Sequence, residues 1–331
     1  MLRNAMHKVI FDTDPGVDDA IALYFALAHP DIELLGITTT FGNVRVHQAA
    51  TNALYLTALA GRSVPVTQGI AAPWVQPAGE PPAFIHGDDG LGNLPQRLPC
   101  QAVADPRSSA QFIVDTVRSH PHQVSLVAVG PLGNLALALK LAPDIAPLVK
   151  QVIVMGGTVN EPGNVSPVAE ANIWNDPHAA DIVFSAHWPM VMVGLDVTHQ
   201  VVTTLPLFES LAAQHKHPAT DTLLHAVQFY CHFYSGLHKQ RFSVPGCFAH
   251  DLLAFMYLVQ PGYFETQSGV VRVATEGLAK GQTLLQKFDF IDYPHPGWEK
   301  ARPRTAACLQ VDAPACLALF ENTMRSNWLS I

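Results

Sequence analysis

The sequence of 331 residues is poor in charge. Asp, Glu, Lys and Arg together make up 14% of it, whereas soluble domains average roughly 25%. So low a charged fraction indicates a large apolar core, an extensive interface between subunits, or both. The net charge is −8 and no block of lysine and arginine occurs, which argues against nucleic acid or an anionic membrane as a partner. We therefore expect a small-molecule ligand.

Several motifs with known chemistry are also missing. The five cysteines contain no Cys-x-x-Cys pair, so we expect reduced, mostly structural thiols. Neither glycine-rich phosphate motif of dinucleotide and nucleoside triphosphate sites is present. Residues 1–8 run directly into an apolar strand without the apolar segment of a signal peptide. The longest uncharged run, residues 123–139, contains a proline and two glycines and is a poor membrane span. A cytoplasmic protein is expected.

Apolar runs that end in glycine or polar residues recur along the chain, and helical patterns follow them. This alternation predicts an α/β fold, with a Rossmann-like, mainly parallel, doubly wound sheet and helices on both faces. No linker divides the sequence, so we expect one domain over residues 1–331. The predicted parallel strands are the run ending at Asp12 and residues 32–40, 124–129, 152–157 and 191–198, and small added strands are predicted at residues 268–274, 283–290 and 307–311.

The strongest chemical signal lies just after the first predicted strand, where four aspartates flank a Pro-Gly turn. A single aspartate there, such as Asp18 before Ala20, could simply cap a helix. Four crowded carboxylates repel one another, and burying unpaired charge is costly, so packing alone gives no reason to gather them. We expect a bound cation or a cationic substrate. The four residues are Asp12, Asp14, Asp18 and Asp19.

Polar residues also follow the other predicted strands, at the sheet edge where open parallel sheets bind ligands. Asn43, Asn134 and Asp196 are examples. The loop at residues 163–177 concentrates asparagines and one glutamate, Glu170. Such side chains can hydrogen-bond sugar hydroxyls from both the donor and the acceptor side, although asparagine is also common in ordinary turns.

Two features of the second half of the chain have a structural and a functional interpretation. The predicted helix at residues 221–238 is rich in aromatic residues, so it belongs to the core or lines a pocket for a flat ligand. His250 and Asp251 precede the apolar helix predicted at residues 252–259. Asp251 could be a helix cap, and His250 is either a core histidine or a group that passes a proton near neutral pH.

Residues 12–20, Asp-Thr-Asp-Pro-Gly-Val-Asp-Asp-Ala, resemble the N-terminal signature of the inosine–uridine-preferring nucleoside hydrolases. The resemblance implies a Rossmann-like domain that binds Ca²⁺ and hydrolyses the N-glycosidic bond of ribonucleosides, commonly as a homo-oligomer, a dimer or tetramer. Further blocks similar to the family, in the family's order, are residues 38–43, 86–91, 130–134, 155–157, 170–174 and 250–251.

This resemblance also implies the residues of a calcium site. Its ligands would be Asp14, Asp19, Asp251 and the backbone carbonyl of Val129, where the family often has threonine. Ca²⁺ takes about six to eight oxygen ligands, which leaves room for two ribose hydroxyls and a water. Asp14 would in addition take the proton from the calcium-bound water that attacks the anomeric carbon.

The same resemblance assigns the groups that hold the nucleoside. His250 would protonate the leaving base, and His86 would be a second base contact or part of a proton relay. Having both histidines resembles the pyrimidine-preferring or broad-specificity branch. The residues implied around the ribose are Asp18, Asn43, Asn164, Glu170 and Asn172, with Met155 beneath the ring, and His238, Gln240 and Phe242 are candidate base contacts.

Two alternatives remain at the level of the sequence. An Asp-x-Asp after the first strand is also typical of haloacid dehalogenase-type phosphatases. Pro15 and Gly16 follow the acids here, however, and no lysine ends a matching strand. The second alternative is a nucleoside- or ribose-binding protein without catalytic activity, against which the presence of Asp14 and His250 argues.

Overall fold

The computed structural model describes residues 6–237, 244–288, 290–295, 297–299 and 301–329. Within them, ten strands form one sheet in the order β11-β10-β12-β7-β6-β5-β1-β2-β3-β4, and β8 pairs with β9. The strands are β1 (His7–Thr13), β2 (Ile32–Thr39), β3 (Val66–Gln68), β4 (Asp105–Ser108), β5 (Val124–Ala128), β6 (Gln151–Met155), β7 (Met190–Val193), β8 (Val202–Thr204), β9 (Gly246–Phe248), β10 (Phe264–Val273), β11 (Thr283–Gln286) and β12 (Thr305–Val311).

The pairing confirms the predicted α/β fold. Every pair from β12 through β7, β6, β5, β1, β2 and β3 to β4 is parallel. At one edge of the sheet, β10 pairs antiparallel with β12, and β11 pairs antiparallel with β10. These are two of the small C-terminal strands that the sequence predicted.

Helices cover both faces of the sheet. The α-helices are α1 (Val17–Ala28), α2 (Val46–Leu59), α3 (Ala83–His86), α4 (Ser109–Ser119), α5 (Gly133–Leu141), α6 (Ala171–Asn175), α7 (Pro177–Phe184), α8 (Leu195–Thr198), α9 (Leu205–His215), α10 (Pro218–Leu237), α11 (Leu252–Val259) and α12 (Ala313–Met324). Short 3-10 helices lie at Pro143–Leu148, Pro261–Tyr263 and Gly277–Ala279.

The sheet separates two apolar clusters. In β1, Val9 and Phe11 belong to the cluster shared with α1, α2, α10, α11 and α12. The residue between them, Ile10, belongs to the cluster shared with α4, α5 and α7. Side chains alternate between the faces of a strand, so a strand covered on both faces is apolar at every position. This explains the uninterrupted apolar runs of the sequence.

Helix α1 brings its charged first turn into the interior. All residues from Val17 to Ala26 are buried, including Asp18 and Asp19. The rest of the helix is apolar and belongs to the cluster shared with α12, where the Phe25 ring centroid lies 6.4 Å from that of Phe320. Burial of the apolar part therefore fixes both aspartates at the carboxyl end of β1.

The prediction of one strand over residues 191–198 is wrong. Strand β7 ends at Val193, and residues Leu195–Thr198 form helix α8. A continuous apolar run has no periodicity that separates a buried strand from a buried helix. The Asp196 carboxylate lies on α8 and accepts hydrogen bonds from the backbone N–H groups of Val159, Asn160 and Glu161. Asp196 therefore holds the loop after β6.

Smaller differences concern short elements. Ile85 and His86 lie in the single helical turn α3. Strands β3 and β4 were not predicted, since three or four residues are too few to show a pattern. All five cysteines are free thiols, as expected, and only Cys100 is exposed. Among the helices of the described segments, none has both the length and the apolar character needed to cross a bilayer.

Candidate active site

The parallel strands converge on one edge of the sheet, and polar groups collect there. Asp14 directly follows β1, and Asn43 lies in the turn after β2. The Asn43 backbone N–H donates to Asp14 Oδ2 at 2.6 Å. Val129 follows β5, and Met155 ends β6. The carboxyl ends of neighbouring strands thus form a single polar cavity, as expected for an open parallel sheet.

Three carboxylates in this cavity form a tight group. One oxygen atom of each of Asp18, Asp19 and Asp251 lies within 4.8 Å of the others. All three side chains are buried. Asp18 and Asp19 come from the first turn of α1, and Asp251 immediately precedes α11. The packing of these two helices against the same face of the sheet therefore closes the group.

Helix capping does not account for these aspartates. The N-cap of α1 is Gly16, and Asp18 lies inside the helix. Asp251 occupies the N-cap position of α11, but its side chain makes no capping hydrogen bond. Asp19 does accept the Gly16 N–H at 2.9 Å, together with the Thr13 hydroxyl and the Asn43 amide. Of these aspartates, only Asp19 makes a hydrogen bond of the kind that caps a helix N-terminus.

The carboxylates destabilise one another in their charged form. Burial, together with the charges of Asp18 and Asp19, raises the pKa of Asp14 well above its usual range. Burial and the neighbouring aspartates raise the pKa values of Asp18 and Asp251 in the same direction. In the described part of the chain, no lysine or arginine pairs with any of these carboxylates. A bound cation would supply the missing positive charge.

The available donor atoms suit a hard divalent cation. Asp14 Oδ1 and Asp18 Oδ1 are buried and have no hydrogen-bond partner among the described residues. The Val129 carbonyl faces the same region and accepts the Asn172 side-chain amide at 2.7 Å. A carbonyl oxygen has a second lone pair, so this contact leaves Val129 able to bind a metal. Carboxylate and carbonyl oxygens are the ligands that Ca²⁺ and Mg²⁺ prefer.

The tight group differs in one member from the ligand set implied by the resemblance. Asp18 takes the place of Asp14 in it. Asp14 is adjacent, because its backbone N–H donates to Asp19 Oδ1 at 3.3 Å. Its Oδ2 atom accepts the Asn43 N–H, and its Oδ1 atom has no hydrogen-bond partner among the described residues. The structure thus brings Asp14, Asp18, Asp19 and Asp251 to one place.

Asp12 supports the cluster from behind. Its Oδ2 atom accepts the Thr38 hydroxyl at 2.6 Å and the Asn134 amide at 2.8 Å. Asn134 also accepts the Ile70 N–H through its side-chain oxygen. These bonds tie β1 to β2 and to the start of α5, so Asp12 fixes the backbone that carries Asp14. Burial raises the pKa of Asp12 to about 7.

Three of the residues expected to face the ribose, Asn164, Glu170 and Asn172, lie in the segment between β6 and β7. Glu170 precedes α6 and accepts the N–H groups of Asn172 and Gly157. Burial raises the pKa of Glu170 to about 7. The Asn172 amide donates to the carbonyls of Val129 and Met155. Asn164 is exposed, and its side-chain oxygen accepts the Ala171 N–H at 3.0 Å, which places it at the rim of the cavity.

His86 reaches the turn between the aspartates. Its Nδ1 atom accepts the Val17 N–H at 3.1 Å. Because a backbone N–H is always the donor, the neutral ring carries its proton on Nε2. Burial lowers the pKa of His86 to about 3, so the ring is neutral at physiological pH and can donate from Nε2. A methyl group at Gly16 would lie 2.5 Å from Nδ1, so this approach requires glycine.

His250 is held at both ring nitrogens. Nδ1 lies 2.8 Å from the Thr198 hydroxyl, and Nε2 lies 3.0 Å from the Tyr234 hydroxyl. Burial, with smaller contributions from His199 and His86, lowers the pKa of His250 well below its usual range. The imidazolium, once formed, is therefore a strong proton donor.

The partners of His250 were not identified from the sequence. Tyr234 was noted only as one of several aromatic residues of a helix that is either core or pocket wall. The available signal is its spacing from Tyr230, since residues four apart lie on the same face of a helix. Thr198 was assigned to a strand and lies in α8. The candidate base contacts His238, Gln240 and Phe242 lie outside the described residues.

Known proteins resemble this chain over most of its length. The sequence profile described as inosine-uridine preferring nucleoside hydrolase matches residues 9–318. A probable uridine nucleosidase of Oryza sativa subsp. japonica is 41% identical over 325 residues, which cover 96% of each chain. An inosine-uridine preferring nucleoside hydrolase of Leishmania major is 36% identical over 315 residues, covering 94% of this chain and 96% of that protein.

Solved structures with a similar fold are also nucleoside hydrolases. The solved structure of a purine-preferring ribonucleoside hydrolase from Gardnerella vaginalis has a TM-score of 0.88 and 34% sequence identity to this chain, and the match covers 97% of this chain and 99% of that one. The profile and the relatives extend over nearly the whole sequence, and each relative shares more than a third of its aligned residues. The chain therefore belongs to the inosine-uridine preferring nucleoside hydrolase family and is a ribonucleoside hydrolase, an enzyme acting on N-glycosyl bonds.

Proposed function

We propose that this enzyme hydrolyses pyrimidine ribonucleosides, or ribonucleosides broadly, to free base and ribose with the help of Ca²⁺. The observation that carries the proposal is the buried, uncompensated carboxylate cluster, with His86 and His250 at the same end of the sheet. Family membership overturns the phosphatase alternative. The presence of Asp14 and His250, both buried at this end of the sheet, argues against a binding protein without catalytic activity.

The metal ligands that we propose are Asp14, Asp19, Asp251 and the Val129 carbonyl, with Asp18 facing the sugar. The partnerless oxygen of Asp14 and the free lone pair of Val129 support this division. When bound, Ca²⁺ would supply positive charge that neutralises the carboxylates and polarises the oxygens of water and ribose.

Asp14 is the proposed general base. Its Oδ2 atom is engaged by the Asn43 N–H, so Oδ1 remains to accept the proton of the attacking water. As the bond to the base lengthens, positive charge develops on the ribose ring. Carboxylate and amide oxygens fixed around it stabilise an oxocarbenium-like transition state. In this proposal, Asp18, Glu170 and Asn172 supply them.

Departure of the base requires a proton, because most nucleobase anions are poor leaving groups. His250 is the proposed acid. Negative charge that develops on the base favours the protonated ring, and the low pKa set by burial makes transfer from it easy. His86, which presents Nε2–H, is the proposed second contact to the base.

The remaining sugar contacts are proposed from position. Asn43 lies between Asp14 and Asp19, to which it donates through its backbone and side-chain nitrogens. Asn164 lies at the rim, and Met155 is buried at the end of β6. His238, Gln240 and Phe242 remain candidate base contacts.

Relatives of this enzyme differ in the base for which they are named. The rice relative is named for uridine, and the Gardnerella structure for purines. The two histidines support the pyrimidine or broad alternative. Purified enzyme should be incubated with uridine, cytidine, inosine and adenosine, and both free base and ribose measured. Release of base from uridine or cytidine supports the proposal, whereas release from the purine nucleosides alone contradicts the preference.

We further propose a cytoplasmic homo-oligomer, a dimer or tetramer of single-domain subunits, that acts in pyrimidine salvage or nucleoside catabolism. The charged fraction of 14% supports it, since a large subunit interface needs few charges. Light scattering of the purified protein measures the subunit number, and a monomer would contradict this part of the proposal.

Removing Ca²⁺ with a tight chelator should abolish hydrolysis and lower the thermal midpoint of unfolding, and added Ca²⁺ should restore both. A cation that binds only the folded state stabilises it, and here it also relieves repulsion between buried carboxylates. Differential scanning fluorimetry measures the midpoint independently of activity. Asp251→Asn is the control variant, in which the midpoint should lose most of its dependence on Ca²⁺. If the chelator leaves the thermal midpoint of the wild-type enzyme unchanged, a resident calcium ion is excluded.

Gly16→Ala should lower kcat/KM for uridine by roughly 10- to 100-fold, because displacements of about 1 Å at catalytic groups have effects of this size. The added methyl would lie 2.5 Å from His86 Nδ1 and 3.0 Å from the Asn43 amide nitrogen, so both side chains must move. Gly79→Ala is the matched control, since no atom lies within 4 Å of its new methyl. Equal kinetics for the two variants would show that the His86 position is unimportant.

A further inference from the structure

Helix α2 carries a buried asparagine that contacts both the acidic turn after β1 and the segment at residues 86–92. Asn52 is fully buried. Its Nδ2 atom lies 2.9 Å from the Pro15 carbonyl oxygen and 2.9 Å from the Asp89 carbonyl oxygen. Pro15 belongs to the acidic turn, and Asp89 belongs to the segment that begins with His86. One side chain therefore bridges two parts of the cavity wall.

The partners of Asn52 fix the orientation of its amide. A backbone carbonyl only accepts hydrogen bonds, so the two N–H bonds of Asn52 point one at each carbonyl. On the other side, Asn52 Oδ1 accepts the side-chain amide of Gln48 at 2.9 Å. Both N–H bonds and the oxygen thus have a partner, and the side chain holds the turn and the segment at one separation.

The turn and the segment also meet directly at a glycine. Gly90 has a φ of +78°, and a methyl group there would lie 2.8 Å from Asn52 Nδ2 and 2.9 Å from the Pro15 carbonyl oxygen. Any side chain larger than hydrogen would therefore push the segment away from the turn. The contact is close at the same place where Asn52 bridges it.

The position of His86 depends on this contact. The Gly92 N–H donates to the His86 carbonyl at 2.8 Å, so the segment closes on itself and moves as a unit. The His86 ring accepts the Val17 N–H at the start of α1. The aspartates of the turn, in contrast, keep their own hydrogen bonds to Asn43. A shift of the segment would therefore displace the ring of His86 and leave the carboxylates in place.

We propose that Asn52 is a positioning residue, whose amide docks the segment at residues 86–92 on the acidic turn and so places His86 against the base of the bound nucleoside. This inference rests on the proposed function, in which His86 contacts the base. Without the two N–H donors of Asn52, the segment is no longer held to the turn. The groups proposed to bind the metal and the ribose do not depend on this bridge.

Asn52→Leu keeps the size of the side chain but has no N–H to donate. The kcat for uridine should fall roughly 10- to 100-fold, the effect of a displacement of about 1 Å. The inhibition constant of free ribose should stay at its wild-type value. His86→Ala should slow the wild type but cause little further loss in the Asn52→Leu enzyme, because changes that disable the same contact are not additive. A merely structural role of Asn52 predicts additive losses.

Gly90→Ala tests the same contact from the segment side. It should reproduce the loss with uridine and the unchanged ribose inhibition, and it serves as the test where Asn52→Leu does not fold. Gly277→Ala is its control, since Gly277 also has a positive φ, +74°, but no atom lies within 4 Å of the added methyl. Thr51→Val is the control on α2, because the exposed Thr51 hydroxyl donates to the His47 carbonyl of the same helix. Both controls should behave as wild type.

Four results would each overturn the inference: additive losses of Asn52→Leu and His86→Ala, no effect of His86→Ala, ribose inhibition weakened in proportion to kcat, or an unchanged uridine rate in Asn52→Leu. Any of them in an enzyme whose wild type releases base from uridine would leave the proposed function standing. A wild-type enzyme that releases no base from any nucleoside would instead overturn the proposed function, and the inference with it.

Discussion

Asp14→Ala abolishes ribonucleoside hydrolysis in our expectation, with a loss in kcat of at least about 10⁴-fold, the upper end of the range for general acid–base groups. The variant loses both the proposed base and a proposed metal ligand. It also frees the Asn43 N–H, which donates to Asp14 Oδ2 in the intact site. Release of ribose from uridine under saturating substrate and Ca²⁺ measures the loss.

Two further variants separate chemistry from folding. Asp88→Ala removes an exposed carboxylate outside the cluster and should leave the rate unchanged. Asp14→Asn keeps the shape of the side chain and its oxygen acceptor. It should raise the thermal midpoint of calcium-free enzyme, because burial and the neighbouring aspartates make a charged Asp14 unfavourable, while hydrolysis remains lost. Substantial activity in either Asp14 variant would remove Asp14 from the mechanism.

The second large effect is expected for His250→Ala. Hydrolysis of uridine should slow by roughly 10²- to 10⁴-fold, the usual contribution of a positioned acid. A riboside whose leaving group departs unprotonated should be affected far less, because it does not need the acid. Steady-state kcat values for uridine and 4-nitrophenyl riboside, taken side by side, measure the difference.

His232→Ala is a suitable comparison, because His232 lies on α10 but is exposed. It should behave as wild type with both substrates. Equal losses on both substrates in His250→Ala would assign His250 to the structure of the cavity and not to proton transfer. The contrast between substrates distinguishes these outcomes even where His250→Ala lowers stability.

The sequence predicted the body of the sheet well, for an identifiable reason. Strands such as β1 and β5 are buried on both faces, so their apolar runs end sharply where the sheet edge begins. The same sharp ends located Asp14, Asn43 and Met155 at the sheet edge. Family membership and fold class are confirmed, whereas the roles of individual side chains remain predictions.

Other features of the structure produce no local sequence pattern from which they could be predicted. Residues 195–198 were assigned to a strand because their helix is a single turn inside an apolar run. The pairing of Tyr234 with His250 depends on how α10 lies against the strand before His250, which no local pattern records. Glu170 was identified as a sugar ligand by resemblance, but its hydrogen bonds to backbone N–H groups at the start of α6 appear only in three dimensions.

The position of β1 in the sheet bears on how the enzyme folds. β1 lies between β2 and β5, and its aspartates meet Asp251, which is far along the chain. Contacts between distant parts of a chain form slowly, since the intervening segment must first be ordered. The aspartates of α1 are synthesised early, yet they find their last carboxylate partner only when α11 docks. If the proposed metal site is occupied in the folded enzyme, capture of the cation would be a late folding event, which slows unfolding more than it accelerates folding.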